Sequence, residues 1–230
     1  ASIANGAITL ASSLDCEVVA VHTVTAAATL TINFQQFSIE LSFTVTCIDV
    51  NDYAPEFTSG EIVKVDERPA VGQVLHEFTI SDADQSSANQ KSSFSIVSTI
   101  IITESGSSSD NSYFEVTADG TLTTKKTFTA REVSTFILFI EASNDAKDAG
   151  GNILKADQTF SVSVTDVNDE TPVIQTTPAV VSVYETAKVG HLIYTFSATD
   201  TDPSEPNNKV RFAIESQSNA GVFTIDSESG

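Results

Sequence analysis

The chain has 230 residues and a formal net charge of −20, from 31 acidic against 11 basic side chains. That balance excludes the basic face which nucleic acid or an anionic membrane surface would require. Hydrophobic residues make up 40%, with 14 Phe and no Trp or Met; with abundant Ser, Thr and Val this leans to β structure in one or two globular units.

Taken in chain order, ASIANGAITL has neither the basic n-region nor the apolar h-region of a signal peptide. No segment reaches the roughly 18 apolar residues of a membrane span. DCE (15–17) places Asp15 and Glu17 either side of Cys16. FSIELSFTVTCID then alternates strictly, with Phe37, Ile39, Leu41, Phe43, Val45 and Cys47 on one face, which predicts a half-buried strand. Cys47 reads as a small buried hydrophobe on that face, with a disulfide to Cys16 as the alternative; two cysteines do not fix the redox compartment. The strand runs into DVNDYAPEF (49–57). Further strands are expected at 62–66, 75–81, 93–97, 113–117 and 135–142, and the Ser-rich ESGSSSDNS (104–112) reads as a flexible loop. TFSVSVTDVND repeats the alternation with Phe160, Val162 and Val164, and leads into DVNDETPVI (166–174). Seven short strands in about 110 residues, separated by polar turns, predict an all-β fold, a Greek-key β-sandwich.

The second DVND is a copy of the first. Asp49, Asn51, Asp52 and Pro55 recur at an offset of 117 positions as Asp166, Asn168, Asp169 and Pro172. Residues 63–84 match 181–202, pairing Glu67 with Glu185, Asp82 with Asp200 and Asp84 with Asp202. Asn89 and Asn207 follow at the same distance past the second acid. Fixed-period self-similarity marks tandem copies of one unit. The expected division is the back part of one unit (1–53), a whole unit (54–170) and the front part of a third (171–230).

The acids gather at predicted strand ends and turns. In a sandwich such turns lie at the poles, so each junction collects acids from the unit before it, from the linker and from the unit after it. A DxD turn points two carboxylates the same way, and DxND adds an amide oxygen and free carbonyls. Calcium takes six to eight such oxygens. With no cluster of His or Cys, zinc and copper are disfavoured.

DVNDYAPEF and DVNDETPVI resemble the interdomain linker of cadherin repeats, DxNDNAPxF, and the resemblance extends over the whole chain. It implies tandem seven-stranded sandwiches with about three calcium ions at each complete linker. For the first linker it implies as ligands Asp15 and Glu17 (the family's DRE acids), Asp49, Asn51, Asp52, the Tyr53 carbonyl, Asp82, Asp84 and the Asn89 carbonyl. The family's A-x-D acid falls at Asn144, so either an amide replaces it or Asp145 takes its place. For the second linker it implies Glu67, Glu132, Asp166, Asn168, Asp169, the Glu170 carbonyl, Asp200, Asp202 and the Asn207 carbonyl. Ala130 stands where the family has an Asp, which weakens the outermost ion position there. Glu185 would serve a third linker.

The functional expectation is a calcium-dependent adhesion module at the extracellular side of the plasma membrane, with another cadherin-like ectodomain as partner. The competing expectation is a structural spacer, because a chain without Trp lacks the tryptophan exchange of classical cadherins. Catalysis is not expected. The carboxylates repeat with the unit, and the three histidines, His22, His76 and His191, are scattered. A surface or edge role is expected for His76 and His191, which fall three positions apart in the repeat, opposite Tyr194 and Gln73. No Asn-x-Ser/Thr sequon occurs.

Overall fold

A computed structural model describes residues 6–175, 180–219 and 221–229. The first element is a long hairpin of β1 (Val21–Ile32) and β2 (Gln35–Thr46), antiparallel in unbroken register from Val21↔Thr46 to Ile32↔Gln35. Its two-residue turn, Asn33-Phe34, has positive φ at both positions, the twist that suits a tight hairpin. Among the described residues little covers the alternating face of β2: Ile39 and Leu41 are 73% and 70% exposed, and only Val45 and Cys47 near its end are half-buried. Cys16 and Cys47 form a disulfide with Cα atoms 5.6 Å apart. This corrects the expectation that Cys47 is a buried hydrophobe: its side chain is half-buried, and its sulfur ties the DCE turn to the end of β2.

The middle unit is a sandwich. β3 (Glu56–Phe57), β4 (Ile62–Asp66), β5 (Val74–Glu77), β6 (Ile80–Ser81), β7 (Ser92–Thr103), β8 (Gly106–Ser109), β9 (Phe114–Val116), β10 (Thr121–Thr124), β11 (Thr135–Lys147) and β12 (Ile153–Thr165) follow in order. One sheet runs β4-β12-β11-β7-β8, with β4 parallel to β12; the other runs β5-β10-β9, and β3 pairs with β6. Phe114 and Leu122 from one sheet meet Phe136, Leu138, Ile140, Phe160 and Val162 from the other in a single apolar cluster. Gly120, in the turn between β9 and β10, has φ +94°, and a Cβ there would meet the Phe78 carbonyl at 2.7 Å. Only glycine fits that approach.

Three local expectations change. Residues 104–112 are not one loop: 106–109 form a strand between two turns. β8 pairs with the outer edge of β7 from Ile100↔Ser109 to Thr103↔Gly106, because β7 runs on to Thr103 and its edge groups need partners. Residues 75–81 divide at Phe78, whose N–H bonds the Gly120 carbonyl at 2.9 Å, so β5 and β6 serve different sheets. His76 has the edge role, on the edge strand β5, but is half-buried rather than on the surface. Its ring lies 4.9 Å from that of Phe78 and 4.6 Å from that of Phe160, and burial lowers its pKa. His191 is exposed, as expected. Beyond the second linker, β13 (Val173–Ile174) pairs with β14 (Ala198–Thr199); the other described residues form turns and irregular backbone.

Candidate metal centres at the linkers

The first linker is built by the DCE turn, the chain leaving β2, the DAD turn after β6, and the far end of β11. Asp84 is fully buried. Its Oδ1 accepts from the N–H groups of Asp52 and Tyr53 at 3.3 and 3.4 Å, and its own N–H donates to Asp82 Oδ1 at 3.0 Å. Asp49 Oδ2 accepts from the Ser86 N–H at 2.7 Å and from Asn89 Nδ2 at 2.9 Å. The other oxygens, Asp49 Oδ1 and Asp84 Oδ2, are buried with no hydrogen-bond donor, as is Glu17 Oε1. Glu17, Asp49 and Asp84 each bring an oxygen within 4.8 Å of the others. Asp15 is exposed on the same side, where its charge is the main cause of a raised pKa at the Tyr53 phenol.

The second linker reproduces this wiring. Asp202 Oδ1 accepts from the Glu170 N–H at 3.3 Å, and the Asp202 N–H donates to Asp200 Oδ1 at 2.9 Å. Asp166 Oδ2 accepts from the Ser204 N–H and from Asn207 Nδ2, both at 3.1 Å. Asp166 Oδ1 and Asp202 Oδ2 are again buried without a donor. Glu67 comes from the end of β4, its two oxygens accepting from the Ala130 N–H at 3.1 Å and the Val167 N–H at 3.0 Å. Glu132, Asn168 and Asp169 are exposed. Glu185 is exposed and joins neither set of hydrogen bonds.

Electrostatics follow this split between satisfied and unsatisfied oxygens. Burial holds the carboxyls of Asp84 and Asp202 above the usual range, with Asp82 and Asp200 adding like charge. Burial also raises Glu17, and the charges of Asp49 and Asp52 push the same way. At Asp49 burial pushes up too, but hydrogen bonds from Ser86 and Asn89, with Glu17, outweigh it and hold the carboxyl below its ordinary value; Asp166 behaves alike through Ser204, Glu67 and Asn207. Carboxylates whose oxygens lie within 4.8 Å of one another, with buried oxygens and no donors, are a donor set that fits a hard divalent cation.

Asn144, not Asp145, is the residue β11 sends into the first linker. Phe136, Leu138, Ile140 and Ala142 alternate inward, and Asn144 continues their phase at 2% exposure. The β11–β12 pairing breaks between Ser143 and Lys147, freeing Ala146 to accept from Asn51 Nδ2 at 2.8 Å. Asp145 points away to Lys91 and Ser93, at 3.0 and 2.7 Å. Sequence reasoning missed four contributors. Ser86 and Ser204 complete a DxDxS pattern that the repeat makes legible. Arg68 pairs with Asp169 and Glu170, and Arg131 donates to the Thr201 carbonyl across the second linker; neither follows from motif spacing.

The comparisons with known proteins point the same way. The family model described as "Cadherin domain" matches residues 179–230. Human Protocadherin-23 is 31% identical over 191 residues, covering 83% of this chain and 5% of that protein. Zebrafish (Danio rerio) Protocadherin-19 is 32% identical over 195 residues, covering 82% and 17%. The chain belongs to the cadherin family. In structure, its cadherin repeats match the Protocadherin GammaB4 extracellular domain with a TM-score of 0.76 at 26% identity, over 95% of this chain and 34% of that one. The Protocadherin gammaB7 EC3-6 cis-dimer matches with 0.81 at 25%, over 95% and 51%. The chain therefore spans only a small part of the curated cadherins it resembles. The family is one of repeats rather than enzymes, in keeping with carboxylates that recur with the unit.

Proposed function

We propose that this chain is a calcium-braced stretch of extracellular cadherin repeats that presents a cell-surface ectodomain for calcium-dependent adhesion, with another cadherin-like ectodomain as partner in cis or in trans. In this reading residues 1–53, 54–170 and 171–230 belong to successive repeats. Asp15, Glu17, Asp49, Asn51, Asp52, Asp82 and Asp84 with the Tyr53 and Asn89 carbonyls hold calcium at the first linker. Glu67, Glu132, Asp166, Asn168, Asp169, Asp200 and Asp202 with the Glu170 and Asn207 carbonyls hold it at the second.

One observation carries the reading. The same two carboxylate oxygens are buried without a donor in both linkers, while their sister oxygens are held by the same backbone and amide groups. A pattern kept at an interval of 117 to 118 residues is part of the repeat and not an accident of one turn. Calcium would supply the positive charge these oxygens converge on. The chain's own residues do the rest: Ser86 and Asn89 aim Asp49, Ser204 and Asn207 aim Asp166, and the linker N–H groups aim Asp84 and Asp202. Each carboxylate pair spans two repeats, so binding couples their orientations. The Cys16–Cys47 disulfide fits the oxidising conditions outside the cell, where calcium is millimolar and extracellular modules have Kd values of about 0.1–1 mM.

The test is a thermal melt in 10 mM calcium and in chelator. Binding to the folded state alone contributes RT ln(1 + [L]/Kd), here about 1.4–2.7 kcal/mol per ion. The calcium-dependent rise in Tm is expected to shrink in Asp84→Ala and in Asp202→Ala, and to vanish when both are combined. An unchanged Tm in the parent chain would reduce the acids to solvated turns. The absence of Trp favours a second reading, a spacer without its own trans contact. Beads coated with the full ectodomain separate the two, since a spacer alone gives no calcium-dependent clumping.

A further inference from the structure

We infer that the innermost cation position of the first linker is filled by the chain itself, by the side-chain amide nitrogen of Asn144, so that this position is braced without calcium. The inference rests on the calcium reading of the linkers and narrows it: Asn51, Asp82 and the Asn89 carbonyl leave the calcium ligand set of the first linker, and Asp15, Glu17, Asp49, Asp52, Asp84 and the Tyr53 carbonyl remain in it.

Three oxygens converge on Asn144 Nδ2. They are Asn51 Oδ1 at 3.2 Å, Asp82 Oδ2 at 2.9 Å and the Asn89 carbonyl at 2.7 Å. An amide oxygen, a carboxylate oxygen and a carbonyl around one point are the ligand types a hard cation takes. Here the point holds an N–H₂ group, whose hydrogens are shared among the three. A cation cannot occupy it while the nitrogen remains. Asn51 is locked in the acceptor orientation, because its own Nδ2 is committed to the Ala146 carbonyl at 2.8 Å. Asn51 and Asn144 are 3% and 2% exposed, so water does not compete for these bonds.

Charge supports the same assignment. Asp82 is the one carboxylate at this position. The neighbouring acid on β11, Asp145, is turned outward to Lys91 and Ser93. One carboxylate and neutral oxygens offer little against the cost of dehydrating a divalent ion. A few residues away in the same linker, Glu17, Asp49 and Asp84 bring three carboxylate oxygens within 4.8 Å of one another, and each of the three residues keeps a buried oxygen without a donor. The linker thus has an outer cluster of unpartnered carboxylate oxygens and an inner set of three oxygens that accept from Asn144 Nδ2, with Asn144 Oδ1 left buried without a donor. Phase along β11 sets the difference: the inward series Phe136, Leu138, Ile140, Ala142 ends on an amide instead of an acid.

The experiment is calcium stoichiometry by equilibrium dialysis on the 230-residue chain and its Asn144→Asp variant, in saturating calcium. The variant exchanges the N–H donor for a second carboxylate and is expected to bind one more calcium equivalent than the parent. Equal, non-zero stoichiometry would overturn the inference and leave the calcium reading intact. No calcium bound by either chain would overturn both. Should the variant fail to fold, NMR of the parent chain gives the answer. The Asn144 side-chain amide protons are expected to be protected from exchange in chelator and to keep their shifts as calcium is added. Loss of protection or a calcium-dependent shift would show an ion displacing the amide, and the inference would fail.

Discussion

Residues 37–52 and 160–169 are two copies of one design, a strand that alternates and then opens into DVND. Their surroundings differ. Phe160 and Val162 on β12 are fully buried against the opposite sheet, whereas of their repeat equivalents Phe43 is 38% exposed and Val45 half-buried. Yet both strands deliver an Asp in the same place, Asp49 and Asp166, gripped by the same Ser and Asn. In both copies these linker hydrogen bonds are made between the chain leaving the strand and the DxDxS turn. The first copy adds a brace the second lacks, the Cys16–Cys47 disulfide. The second copy adds an ion pair across the linker, from Arg68 to Asp169 and Glu170.

The largest effect that would sharpen this comparison lies in the strands. Phe160→Ala removes a fully buried ring that contacts His76 and Phe78, and is expected to cost about 3–5 kcal/mol. Phe43→Ala is expected to cost about 1 kcal/mol or less. Chemical denaturation of the two variants checks this, and similar costs would mean that β2 has an apolar cover like that of β12.

The same pair shows what could be read in advance. Period-two alternation identifies both strands, and the repeat identifies both acid sets, because each depends on nearby residues or on self-similarity. Whether an alternating face is covered depends on another sheet, and sequence alone does not say where that sheet is. Asn144 against Asp145 was legible in principle, since counting by twos from Phe136 lands on 144. The 104–112 segment misleads because Ser-rich composition signals loops, while the bare edge of β7 decides the outcome. The Arg68 pair joins residues about a hundred positions apart and has no local signature.

A smaller effect separates protons from cations at the linkers. Burial raises the Asp84 pKa above its ordinary value, so without calcium the folded state binds a proton more readily than the unfolded state does. Ionised Asp84 is then a burden at neutral pH, relieved as pH falls through the raised folded pKa toward the unfolded value. Asp84→Asn mimics the protonated form. In chelator at neutral pH it is expected to melt above the parent, with the gap closing as pH is lowered toward about 4. In calcium the order is expected to reverse, since on the proposed calcium reading the variant would lose a ligand. Asp202→Asn is expected to behave likewise, its pKa being raised by burial too. A variant that melts below the parent in chelator at neutral pH would mean Asp84 is satisfied without a cation.

The smallest effect tests what Arg68 does for the second linker. Its guanidinium reaches Asp169 and Glu170, but it is about half exposed, and exposed pairs contribute about 0.2–1 kcal/mol. In chelator, Arg68→Gln is expected to lower stability by that amount, and 1 M salt should erase the difference by screening. In calcium the sign changes. Arg68 and a cation compete for the Asp169 carboxylate, at the position already weakened by Ala130, so freeing that carboxylate should tighten calcium binding at the second linker. The same 0.2–1 kcal/mol corresponds to a gain of at most about fivefold in affinity. The first linker, probed through Asp202→Ala to silence the second, should not respond to the substitution. If calcium binds more weakly in Arg68→Gln, the guanidinium is a scaffold that positions Asp169 for the ion, and the two linkers differ less in chemistry than their ion pairs suggest.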